Sequence, residues 1–164
     1  MFAQSGSVVQ LTHTILRYGG AGGWANLANS NGPASSVSIA GGGVYDSAND
    51  GMRIQATNIT LTGMQAAGNA ADGIELFPGF PPVLSNISMV SNGGYACRVN
   101  QNSGSFPATM LASTNGKNGV YLAGTLGGSA PGGTWTWGAS PTCAYIVATS
   151  PAPAEIRSGS CPAP

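Results

Sequence analysis

The sequence predicts an all-β fold wound as a parallel β-helix of about five coils, each 22–23 residues long, and three observations carry that prediction. The segment Asp72-Gly73-Ile74-Glu75-Leu76 recurs upstream as Asp50-Gly51-Met52-Arg53-Ile54. Downstream it decays to Tyr95-Ala96-Cys97-Arg98-Val99 and then to Asn118-Gly119-Val120-Tyr121-Leu122, the spacings being 22, 23 and 23 residues. A fixed period of this size marks units that cannot bury their apolar face alone and stack to share a core. Within each unit the apolar residues fall two apart, the period of a strand. The 26 glycines among 164 residues argue against helix, where each costs roughly 1 kcal/mol.

Aligned on the recurring turn, the first full coil supplies Ile39, Gly42, Val44, Ser47, Asp50, Gly51, Met52 and Ile54. The second supplies Leu61, Met64, Ala66, Asn69, Asp72, Gly73, Ile74 and Leu76. Leu84, Ile87, Met89, Asn92, Tyr95, Ala96, Cys97 and Val99 make the third, and Pro107, Met110, Ala112, Asn115, Asn118, Gly119, Val120 and Leu122 the fourth. A weaker coil through Leu11, Thr14, Leu16, Ala25 and Leu27 precedes them, separated by a loop over residues 28–36 whose Asn, Gly, Pro and Ser content suits turns. Three short strands per repeat leave no room for hairpins, so successive coils are expected to pair in parallel at about 4.8 Å. Inward columns follow: Met52, Ile74, Cys97, Val120; then Ile54, Leu76, Val99, Leu122; then Gly42, Met64, Ile87, Met110. The column Ser47, Asn69, Asn92, Asn115 is expected to be an amide ladder that satisfies turn backbone.

After Gly124 the ladder is expected to stop, dividing the chain into a β-helix over residues 1–124 and a Gly/Pro-rich, irregular, strand-containing segment over 125–164. Two strands are read there, at residues 134–137 and 144–147, with the aromatic stretch 135–147 either a lid on the core or the start of a further repeat block. The Pro, Ala and Ser residues from Ser150 onward read as a domain edge.

These coils, with Thr14-Ile15-Leu16-Arg17-Tyr18-Gly19-Gly20 as a first-coil segment, resemble the right-handed parallel β-helix proteins of the pectate-lyase-like superfamily, in particular bacterial secreted and surface proteins built of such repeats. The resemblance spans about residues 8–123 and implies the fold far more than a function, since that superfamily includes lyases, hydrolases, adhesins and spacers. It implies that, in a lyase, surface acids would bind calcium and an arginine would act as base. The hydrolase branch would show clustered aspartates, a Gly-His-Gly and an Arg-Ile-Lys; here Arg53-Ile54 is followed by Gln55, and the single His13 has no glycine neighbours.

Charge narrows the partners. Only 6% of residues are charged, against about 25% in typical domains, and five basic residues balance five acidic ones. Nothing in that balance attracts nucleic acid or an anionic membrane. No apolar run approaches the roughly 20 residues that span a bilayer, and the first residues lack the basic start and apolar stretch of a signal peptide. The neutral polar composition suits an extracellular or cell-surface location. Cys97 falls on an inward column and reads as a small buried apolar residue, whereas Cys143 and Cys161 either pair or remain thiols.

Chemistry has few candidates. Asp50 and Asp72 share one turn column and would be the calcium ligands of a lyase, with Arg53 or Arg98 beside them; the competing reading is that Asp-Gly is a favoured turn pair. The outward column Asn26, Arg53, Glu75, Arg98, Tyr121 reads first as a charge-paired ladder. Its functional alternative is a carbohydrate-contacting strip of Arg53, Glu75, Arg98 and Tyr121, with guanidinium groups bridging hydroxyls or carboxylates and Tyr stacking on a sugar ring. His13 reads as a surface residue, and no zinc or phosphate-loop spacing is present. Thr12/Thr14, Thr60/Thr62 and Thr134/Thr136 suggest an ice-binding row but do not fall in register on consecutive coils. The expected function is a non-catalytic structural or adhesive segment touching a surface glycan, with a calcium-dependent polysaccharide lyase and an ice-binding module as alternatives. Open strand edges at both ends would permit end-to-end self-association.

Overall fold

The computed structural model describes residues 2–4, 6–31, 34–80, 82–100, 108–123, 144–147 and 154–156. They form an all-β parallel solenoid whose only helical element among the described residues is one short 3-10 turn, Ala21–Gly23. The strands are β1 (Phe2–Gln4), β2 (Val8–Arg17), β3 (Leu27–Asn31), β4 (Ala34–Tyr45), β5 (Met52–Thr62), β6 (Gln65–Ala67) and β7 (Ile74–Pro78). They continue as β8 (Val83–Val90), β9 (Tyr95–Asn100), β10 (Ala108–Ser113), β11 (Lys117–Ala123), β12 (Ala144–Val147) and β13 (Ala154–Ile156).

Among the described residues every ladder is parallel except that of β12 with β13. Met52 pairs with Ile74, Ile74 with Cys97 and Cys97 with Val120, one rung per repeat. Ile54, Leu76, Val99 and Leu122 follow two residues on. With Leu61, Met64, Met89 and Met110, these side chains are buried in a single core. Each large apolar chain so buried contributes about 1.5–3 kcal/mol, so the stacking of coils is what holds the solenoid together.

The coil count differs from expectation: about three complete turns, rather than five, are present. The turns over residues 34–100 have parallel neighbours on both sides, whereas β2 pairs only with β4 and β10 only with β8 among the described residues. An outer coil lacks half of the contacts that define a turn.

Two corners bend the chain by the same device. Left-handed residues stack at each corner, His13, Gly41 with Gly42, Gly63 and Asn86 at one and Tyr18, Asp46, Gly68, Ser91 and Thr114 at the other. Glycine takes that conformation freely and Asn or Asp at modest cost, while Tyr and Thr are held there by the rungs beside them.

The first coil is registered differently from expectation. Leu27, not Ala25, stands opposite Met52, and Ala28 opposite Arg53. Part of the expected loop at residues 28–36 is strand, because β1 stacks beneath β3 with Phe2 opposite Ala28. At the other end the ladder does not stop at Gly124: Gly119, Val120, Tyr121 and Leu122 pair with Ala144, Tyr145, Ile146 and Val147. A parallel rung needs matching strands and a crossover of about a dozen residues or more between them. The Pro-rich tail holds β13, antiparallel to β12. Pro107, the strand expected at residues 134–137, and Cys143 and Cys161 lie outside the described residues.

Candidate functional site

The face carried by the first half of β5 and by β7, β9 and β11 collects the charged side chains. Alternation along each strand turns Ile74 and Leu76 inward and Glu75 outward, and parallel pairing sets Arg53, Glu75, Arg98 and Tyr121 in one column. Arg53 Nε lies 3.1 Å from Glu75 Oε2. Arg98 Nε lies 2.8 Å from Asp72 Oδ2, a charge contact off the line of a hydrogen bond, and 3.9 Å from Glu75 Oε1. Glu75 therefore sits between two arginines, and Arg98 joins the turn column to the strand column. Asn100 Nδ2 donates to Glu75 Oε1 at 3.2 Å.

Rings enclose the guanidinium groups. Arg53 lies 5.4 Å from the Phe77 ring, and Arg98 lies 5.5 Å from Tyr95 and 5.4 Å from Tyr121, within cation–π range. The two tyrosine rings are 4.7 Å apart, and Lys117 Nζ donates to the Tyr95 hydroxyl at 3.1 Å.

The two aspartates stack as expected, and each gives one oxygen to a backbone N–H. Asp50 Oδ1 accepts the Asp72 backbone N–H at 3.0 Å, and Asp72 Oδ1 accepts that of Tyr95 at 2.8 Å. Asp72 thus spends one oxygen on backbone and the other on Arg98. A calcium ion, which takes six to eight oxygen ligands, finds no fit in this pair. Among the described residues no group of three His, Cys, Asp or Glu side chains is placed to hold a metal. Burial pushes the Asp50 carboxyl above its usual range, against the bond from Asp72 N–H and with help from the Asp72 charge. Glu75 is raised by the same desolvation, with the two arginines opposing it.

Asn26 leaves the outward column. It is buried, and it donates through Nδ2 to the Tyr45 carbonyl at 2.7 Å while accepting from Gly19 N–H at 2.6 Å. The amide ladder forms as expected: Asn69, Asn92 and Asn115 Oδ1 accept from Ser47, Asn69 and Asn92 N–H at 3.1, 3.2 and 3.0 Å. Asn118 Oδ1 closes its upper end on Asn115 N–H at 2.9 Å.

Beside Arg53 lies a cleft of about 290 Å³ lined by Trp24, Ala28, Asn29, Arg53, Gln55 and Phe77. A second, of about 320 Å³, shares Gln55 and Phe77 and runs past Thr57, Pro78, Gly79 and Asn100. Sequence reasoning missed these residues because the template ended at Ile54 and Leu76. One step further along each strand reaches Gln55 opposite Phe77, and that alternation was the available signal.

The remaining candidates separate from this site. His13 is an exposed corner residue. Thr60 and Thr62 lie outward in rows with Gln10, Ser38 and Val83, and with Thr12, Ala40 and Ser85, so no uninterrupted threonine row exists there. Thr14 falls in another row, opposite Gly42. Among the described residues no helix is long and apolar enough to cross a membrane.

Fold and site together define a parallel β-solenoid with an ion-paired, aromatic-flanked strip on one face. The sequence matches no protein-family model, no curated protein and no solved structure.

Proposed function

We propose that this chain is a non-catalytic structural or adhesive segment of an extracellular or cell-surface β-helix protein of the pectate-lyase-like kind, contacting a glycan along Arg53, Glu75, Arg98 and Tyr121. The observation that carries the reading is the commitment of the acids. Asp50 and Asp72 bind backbone N–H groups, and Asp72 and Glu75 are held by arginine. Lyase chemistry needs carboxylates open to a metal, whereas Asp72 and Glu75 face Arg98, which lies between those two carboxylates and two tyrosines. A rigid strip of guanidinium, amide and ring edges suits reversible recognition of hydroxyl-rich chains.

Glycan-array binding by the chain, reduced by Tyr121→Ala, is the expected result. Ultraviolet-absorbing unsaturated products from uronic-acid polysaccharide and calcium, abolished by Asp72→Asn, would replace this reading with the lyase. Thermal hysteresis without glycan binding would replace it with the ice-binding module.

A further inference from the structure

We infer that the cleft between Trp24 and Phe77 seats an uncharged pyranose residue of a glycan chain, a site outside the Arg53–Tyr121 strip except for Arg53 itself. The inference rests on the glycan-contact reading above. Its first support is shape and lining. Two aromatic side chains, Trp24 with 42% of its surface exposed and the half-buried Phe77, border a space of about 290 Å³, just under the ligand-site range of about 300–1,000 Å³. Aromatic faces beside polar donors match a sugar ring, which presents apolar C–H faces and a hydroxyl rim.

The floor is rigid. Asn29 is buried and clamps the Gln55 backbone, accepting its N–H at 2.6 Å and donating Nδ2 to its carbonyl. Gln55 is thereby fixed with its side chain exposed at the cleft, an amide able to donate and accept. Arg53 is tethered through Nε to Glu75, and its side chain is 46% exposed beside the cleft.

Charge selects the ligand class. The guanidinium of Arg53, the cation at the cleft, is matched by Glu75 at 3.1 Å. A carboxylated or sulfated sugar would approach a cation already neutralised, with buried carboxylates behind it. A neutral sugar uses the donors and meets no repulsion. The second cleft, sharing Gln55 and Phe77, gives the next residue of the chain a place toward Asn100, so the ligand is an oligosaccharide with Phe77 between two of its rings.

The test is calorimetric titration of the whole chain with neutral gluco-, manno- and galacto-oligosaccharides and with oligogalacturonate and a sulfated oligosaccharide of equal length. At least one neutral oligosaccharide is expected to bind about tenfold or more tighter than the anionic ones, and Trp24→Ala and Phe77→Ala to weaken it about tenfold each. Gln55→Ala, an exposed change that leaves the core intact, is expected to weaken it about threefold. Leu111→Ser, on another face, is expected to leave binding unchanged. Tighter binding of an anionic oligosaccharide, or neutral binding indifferent to Trp24→Ala, Phe77→Ala and Gln55→Ala, overturns this site and leaves the glycan-contact reading standing. Failure of every saccharide on a chain with unchanged circular dichroism overturns both.

Discussion

Replacing Asn92 by alanine tests whether the amide ladder holds the coils together. Asn92 is 2% exposed, and its side chain makes four hydrogen bonds. Oδ1 accepts from Asn69 N–H at 3.2 Å and Asn69 Nδ2 at 2.7 Å. Nδ2 donates to the Ala66 carbonyl at 3.1 Å and to Asn115 Oδ1 at 2.7 Å. A net value of about 0.5–1.5 kcal/mol per bond, with the added cost of leaving the buried Asn69 N–H without its acceptor, places the loss at about 3–5 kcal/mol. That is a large share of the roughly 5–15 kcal/mol by which domains are stable. Equilibrium urea unfolding followed by far-ultraviolet circular dichroism should show the midpoint fall by about 1–5 M, for slopes of about 1–3 kcal/mol per M. Asn92→Asp keeps the acceptor but turns a carboxylate oxygen toward Asn115 Oδ1 and the Ala66 carbonyl. Its loss at neutral pH should equal or exceed that of Asn92→Ala and shrink in acid, where the protonated group donates again. Ser47→Ala should cost under about 1 kcal/mol, because the Ser47 hydroxyl makes only long contacts, at 3.3 and 3.5 Å, while its backbone N–H still reaches Asn69. A loss below about 1 kcal/mol for Asn92→Ala at unchanged slope would refute the ladder as a source of stability.

Other perturbations separate the remaining interactions. Asp50 and Glu75 have carboxyl pKa values raised in the folded chain, so between the ordinary carboxylate range and those raised values the folded state holds more protons than the unfolded one. Stability from these groups therefore rises as pH falls through that window. Asp50→Asn, which can still accept the Asp72 N–H, should flatten the dependence of melting temperature on pH just above the ordinary carboxylate range; an unchanged slope counts against the assignment. Arg98→Ala strips the buried Asp72 and Glu75 of a shared cation and should cost about 2–4 kcal/mol by chemical denaturation, less than a fully buried pair because Arg98 is 34% exposed. Arg53→Ala, at 46% exposure, should cost about 1 kcal/mol or less, and a reversed order would show that the strip is not anchored through Arg98. Gly42→Ala meets both a left-handed backbone and the Thr14 main chain, so it should cost about 2–4 kcal/mol, whereas Gly63→Ala, with open space around its Cβ, should cost about 1–2 kcal/mol.

The repeat of Ile74 and Leu76 determined, from sequence alone, which residues face inward, since a strand alternates with period two and a one-residue slip would expose the whole set. It also placed Glu75 between Arg53 and Arg98 and foretold the asparagine ladder, both consequences of stacking equivalent positions. The first coil was less legible. There Asn29, expected in a loop, is a buried residue of β3, and Leu27 rather than Ala25 stands opposite Met52, because β3 also carries a rung to β1. The bridge from Arg98 to Asp72 was invisible too, because it crosses between columns, and a sequence period defines columns without giving the reach of a long side chain across them. Likewise the cleft beside Phe77 exists only where Trp24, in the irregular segment after β2, comes to lie against β5 and β7. The sequence by itself determined the coil, its core and its ladders, because these follow from local alternation repeated at a constant period. Only the tertiary structure decided the site, since its members come from irregular segments and from contacts between columns that no periodicity encodes.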